Sequence, residues 1–206
     1  MFTRKSSEHG SALVEFVLCF SLFWVPLFFG MLVIGFNLIR AIQVTQVCRD
    51  AAHMYAYGTD FSQPAYKNLL VSLATGLNMK TTGGNGVIIF STITFVDQAS
   101  CDAANLTSGC SNLDKAVFVR RIVIGDANLH TSAFGTPAPN IVDSSGNINN
   151  IDYLKNASVV AENFKDVIGL KSSTQFAFVA EMWVNSPDYN WWSGFGNSGA
   201  SARAIF

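Results

Sequence analysis

An α+β fold, in which a long N-terminal helix packs on a small antiparallel β-sheet head, is what three features of this 206-residue sequence predict. Residues Phe16 to Ile39 form an uncharged run of about 24 residues, which at about 1.5 Å of helix rise per residue exceeds the roughly 30 Å of bilayer hydrocarbon. Past Arg40 the pattern turns amphipathic at helical spacing, so one helix has a transmembrane half and a docking half. Three later stretches, rich in β-branched and aromatic residues and separated by polar, Gly-containing segments, read as strands.

The apolar run is hydrophobic all round, with Ser21 and Asn37 its conspicuous polar residues, and such a helix requires lipid or other helices around it. A secretory signal peptide is the plainer alternative. Its basic start is present in Arg4 and Lys5, but the run is about twice the usual apolar core and no small-x-small site follows Ile39. An uncleaved signal anchor satisfies the same length. Arg4 and Lys5 on one side balance Arg40 and Arg49 on the other, so basic residues alone do not orient the span.

Glu15 gives the run its chemistry. An ionised carboxylate in hydrocarbon costs on the order of 2.5 to 3.5 kcal/mol, less near the headgroups, so an acid at this edge calls for a counter-charge. A cut between Gly10 and Ser11 creates one. The new amine on Ser11 lies four residues before Glu15, on the same helix face, or reaches the Glu15 of a neighbouring subunit.

The residues Gly10-Ser11-Ala12-Leu13-Val14-Glu15-Phe16, after a short charged leader, resemble the signature of type IV prepilins. The form GSALVEF is most similar to the TadE-type pseudopilins of tight-adherence (Tad, or Flp) pilus systems, as more weakly are Phe134-Gly135-Thr136-Pro137 and the end Ala202-Arg203-Ala204-Ile205-Phe206. Ser11 departs from the Phe that many type IV pilins outside the Tad group carry at the first mature position. The resemblance implies a pilin-like fold, cleavage by a prepilin peptidase between Gly10 and Ser11, and assembly with other pilins through Glu15 and Phe16. It also implies a single-pass span in inner-membrane lipid, with the N-terminus cytoplasmic and the head periplasmic, or extracellular after assembly. The chain then divides into a leader (1–10), a transmembrane and assembly helix (11–58) and an α+β head (59–206).

Pro26, with Gly30 and Gly35 beyond it, is expected to interrupt the spanning helix, as a tolerated kink or as a point where it loosens. In the docking half, Ala41, Val44, Val47, Cys48, Ala51, Met54 and Tyr55 form one stripe, with Gln43, Gln46, Arg49, Asp50 and His53 facing away. Gly58 is the expected stop. A second helix starts at Ser62-Gln63-Pro64 and ends by Gly76, with Ala65, Leu69, Leu70, Leu73 and Leu77 on its buried side. Val87–Val96 is read as a half-buried strand, with Ile93 and Phe95 alternating against Thr92 and Thr94. Val117–Ile124 and Phe176–Val184 complete a three-stranded sheet, to which Ser201–Phe206 can add an edge; Asp126–Asn150 reads as loop.

The head of roughly 150 residues is large enough for one core. At 13% charged residues and net charge −1, against roughly 25% charged in ordinary globular domains, the chain lacks the basic surface of a nucleic-acid partner. Cys101 and Cys110, in a polar segment between two strands, are expected to form a disulfide in an oxidising compartment, in preference to a zinc site. Cys19 and Cys48 read as small buried thiols without partners. His9, His53 and His130 are scattered, and no Ser-His-Asp or Cys-His arrangement can be read, so neither catalysis, a metal, a cofactor nor a small-molecule substrate is expected. Asp143 to Asn149 has the oxygen density of a calcium loop but not its spacing, and reads as a solvated turn. Arg120 and Arg121 point to opposite faces of a strand, so at most one is buried. Trp191, Trp192 and Phe195, set among glycines, either wrap the core or present an aromatic contact surface.

Overall fold

The computed structural model describes residues 9–106, 109–164, 167–185 and 199–206. Helix α1 (His9–Ala56) runs unbroken through Pro26. The helix therefore does not end or unwind at the proline, which removes one backbone donor while the rest of the helical ladder continues. The chain divides into two units, one ending at Ile39 and one spanning Arg40–Phe206.

In the first unit the side chains of the apolar run point outward, Leu22 76% and Phe23 74% exposed. Phe16, Phe20 and Trp24 form an i, i+4 ladder with ring centroids 6.0 and 5.6 Å apart. The Ser21 hydroxyl donates to the Val17 carbonyl at 2.7 Å, so it needs no water. Cys19 is exposed on this surface rather than buried, a correction to the sequence reading, since an apolar position on a helix is buried only where another element packs on it. About 24 residues at helical rise give roughly 36 Å, long enough for a single-pass anchor.

In the second unit α1 presents the predicted stripe: Val44, Cys48, Ala51 and Tyr55 are buried, joined by Ala52. A Schellman motif ends the helix. Gly58, at φ 90°, takes the left-handed conformation, its N–H donates to the Tyr55 carbonyl and the Thr59 N–H to that of Met54, both at 3.0 Å. Helix α2 (Pro64–Leu73), with proline in its first turn, is followed by a 3-10 turn over Thr75–Leu77. Only Leu70 and Leu77 of its expected buried side are buried, together with Ala74; Ala65, Leu69 and Leu73 are exposed. Positions 70, 74 and 77 form the stripe that meets the core, and the short helix has no second layer to cover the rest.

Four antiparallel strands, β1 (Gly86–Phe95), β2 (Ala116–Gly125), β3 (Phe176–Asn185) and β4 (Gly199–Ile205), form one sheet in the order β2-β1-β3-β4. The predicted tail strand is therefore real and lies at an edge. One face packs Ile88, Phe90, Ile122, Ile124, Ala180 and Met182 against α1. Phe61 stacks on Phe90 at 4.5 Å, and each of these fully buried rings contributes about 1.5–3 kcal/mol by leaving water. The opposite face packs Ile93, Phe118 and Val179 against Phe134, Leu154 and Phe164 of the long β2–β3 connection.

Cover by α1 on one face and by that connection on the other corrects the half-buried reading of β1. Thr92 and Thr94 are buried too, because the strand is covered on both faces. Their hydroxyls are satisfied: Thr92 pairs with the Tyr55 hydroxyl at 2.7 Å, and Thr94 donates to the Gln175 carbonyl at 2.9 Å. The connection contains a 3-10 turn over Pro139–Ile141 and the short helix α4 (Asn150–Lys155). Helix α3 (Gln98–Ala103) lies between β1 and β2.

Candidate functional site

The N-terminal motif lies within the first turns of α1. Gly10 and Ser11 are helical, and Glu15 is one turn beyond Ser11, exposed like Phe16. An exposed acid at the head of an all-apolar helix remains available to a partner. Residues 1–8 of the leader, and Trp191, Trp192 and Phe195, lie outside the described residues.

Cys101, in α3, and Cys110 form the expected disulfide, with Cα atoms 5.9 Å apart. Cys48 is fully buried where α1 crosses β3 and β4, and its thiol donates to the Ala180 and Ala202 carbonyls at 3.5 Å. Burial pushes its pKa up to about 12, so the thiol is inert. Among the described residues no group of three His, Cys, Asp or Glu side chains is placed to hold a metal. His53 is exposed beside Tyr57 and Phe206, and His130 stacks on Trp183 at 5.2 Å. Asp143 accepts the backbone N–H groups of Ser145 and Asn147 at 2.8 and 2.7 Å, forming a turn that occupies its carboxylate.

The Arg120-Arg121 pair separates as the strand period requires. Arg120 is half-buried and paired with Asp60, whose pKa is lowered to about 2, first by the Ser62 hydroxyl and also by Arg120. Arg121 is buried on the opposite face, donating to Ser91 Oγ at 2.5 Å and to the Gly135 carbonyl, with its guanidinium 4.8 Å from the Phe118 ring. Desolvation lowers its pKa to about 10, against the pull of Glu181.

Glu181 is the site residue that sequence reasoning missed. It lies on β3, 3% exposed, and accepts from the Ser132 hydroxyl, from the Ala133 N–H at 3.2 Å and from Arg203 of β4 at 3.0 Å. Arg203 in turn lies 4.6 Å above the Phe134 ring. The available signal was one acid inside the apolar strand Phe176–Val184, which had to find a cation or donors to be buried.

Residues 10–53 match the model of the TadE-like protein family. The chain carries a TadE-like N-terminal helix. The match begins at Gly10 and takes in Glu15, the whole apolar run and the docking stripe as far as His53. No curated protein and no solved structure matches the chain. The matched segment takes in the helix of single-pass length, and the four-stranded antiparallel sheet lies beyond it.

Proposed function

We propose that the chain is a minor pilin, or pseudopilin, of a Tad pilus. A prepilin peptidase cuts it between Gly10 and Ser11, and it enters or primes the pilus that attaches the cell to surfaces. The observation that carries this reading is the TadE-like match that begins at Gly10, with Glu15 one turn beyond Ser11 on an exposed apolar helix. Its action is mechanical rather than catalytic. The processed helix is anchored in inner-membrane lipid and is then drawn out against neighbouring pilins, with Glu15 pairing to a terminal amine to set the register. The Cys101–Cys110 bond supports a head on the oxidising, periplasmic side and a cytoplasmic N-terminus.

N-terminal sequencing of the protein from membranes tests cleavage: Ser11 first supports the pilin, and Met1 first makes it an unprocessed anchored binding module. Glu15→Ala is expected to leave cleavage largely intact and impair assembly, whereas Gly10→Arg blocks cleavage. Normal piliation with uncut Gly10→Arg protein contradicts the proposal.

A further inference from the structure

The two edges of the sheet are finished differently. Along β2 the outer backbone groups are taken up by the chain itself: Arg121 N–H donates to the Gly146 carbonyl at 2.6 Å, Ile148 N–H to that of Val119 at 2.9 Å, and Ala161 N–H to that of Ala116 at 2.9 Å. Along β4 they are not. Phe178 and Phe206 exchange both backbone bonds at 2.8 and 2.9 Å, so antiparallel alternation directs Ala200, Ala202 and Ala204 toward β3. The N–H and C=O groups of Ser201, Arg203 and Ile205 therefore point off the edge, and among the described residues they have no backbone partner. The strand has no proline, lysine or bulge, and the one protective device it carries is its single charge, Arg203, turned inward onto Glu181.

A cavity of about 360 Å³ opens beside these groups, between the segment His130–Ala133 and the Ser201–Arg203 stretch of β4. The Glu181 oxygens already accept from Ser132, Ala133 and Arg203, so the acceptor at its base is occupied. A guanidinium has five N–H donors and Glu181 engages two nitrogens of Arg203, leaving donors there and on the Thr131 and Ser201 hydroxyls.

We infer that β4 is a strand-addition site for an extended segment of another protein, whose backbone pairs with Ser201, Arg203 and Ile205 and whose acidic side chain enters the Arg203 cavity. Main-chain bonds supply the affinity and the cavity supplies the selection, a carboxylate being the best acceptor for spare guanidinium donors. A second copy paired antiparallel through β4 is the competing occupant, and sedimentation distinguishes it. The inference does not depend on the pilus reading.

The test uses the full chain in dodecylmaltoside micelles and a fluorescent Thr/Val-alternating peptide of about nine residues, strand length, with a central Asp. Fluorescence anisotropy should show saturable binding, weakened about tenfold or more when the Asp is replaced by Lys or when the peptide is N-methylated at alternate amides. Ser201→Pro removes an outward N–H without touching the β3 ladder, and should weaken binding to a similar degree while leaving the melting temperature in place. If that variant fails to fold, the N-methylated peptide tests the same bonds from the ligand side. Absence of saturable binding up to about 1 mM, equal binding of the N-methylated peptide, or a dimer in sedimentation that Ser201→Pro disperses would each overturn the inference.

Discussion

Reducing the Cys101–Cys110 bond should lower the melting temperature of the head by about 8 °C. The two cysteines are 9 positions apart, so the bond closes a loop of about ten residues. Loop-closure entropy for that length is about 9 cal/mol/K, or roughly 2.7 kcal/mol at 25 °C. The Arg40–Phe206 unit, at about 2.1 cal/mol/K per residue, unfolds with an entropy near 350 cal/mol/K, and dividing one by the other gives the shift. Reduction is preferable to substitution because it keeps both sulfurs in place: Cys101 is 1% exposed in the core, and replacing it adds a packing defect. Near-UV circular dichroism of the chain in detergent, with and without dithiothreitol, follows the packed aromatic residues of the head, Tyr55, Phe61 and Phe90 among them. A shift below about 2 °C would refute the loop-closure account, and one above about 15 °C would show that the bond holds native contacts the arithmetic omits.

Acid should weaken the head between about pH 4 and 2. Asp60 and Asp97 both have folded pKa values of about 2, Asp97 lowered first by the Ser173 N–H and then by the Ser100 N–H, so each stabilises the fold above its unfolded value near 3.9 and ceases to as pH falls through 2. Denaturant midpoints across this range measure the slope, and Asp97→Asn should flatten it; an unchanged slope would contradict the assignment. Tyr55→Phe leaves the buried Thr92 hydroxyl without its 2.7 Å partner and should cost about 1–2 kcal/mol. Adding Thr92→Val should recover most of that loss in the same chemical denaturation assay, because neither polar group then remains unpaired.

The sequence by itself determined what depends on short-range periodicity. Apolar length dictates the span, the 3.6-residue stripe from Val44 to Tyr55 dictates the docking face, and alternating β-branched residues dictate three strands and suggest the fourth. The Gly10 to Phe16 motif is likewise local, because its chemistry lies within two helical turns. Tertiary structure alone decided which faces are covered. Thr92 and Thr94 look like solvent-facing residues until Tyr55 of α1 covers the first and the end of the β2–β3 connection the second, and Leu69 and Leu73 look like core until α2 is found to have one covered side. It also decided the partners of buried charge. Glu181, Ser132 and Arg203 are brought together only by the β3–β4 register and a loop some fifty residues upstream, and no periodicity in one stretch encodes a meeting of three. The open edge of β4 has the same origin, since a strand lacks a neighbour only in relation to where every other strand has gone.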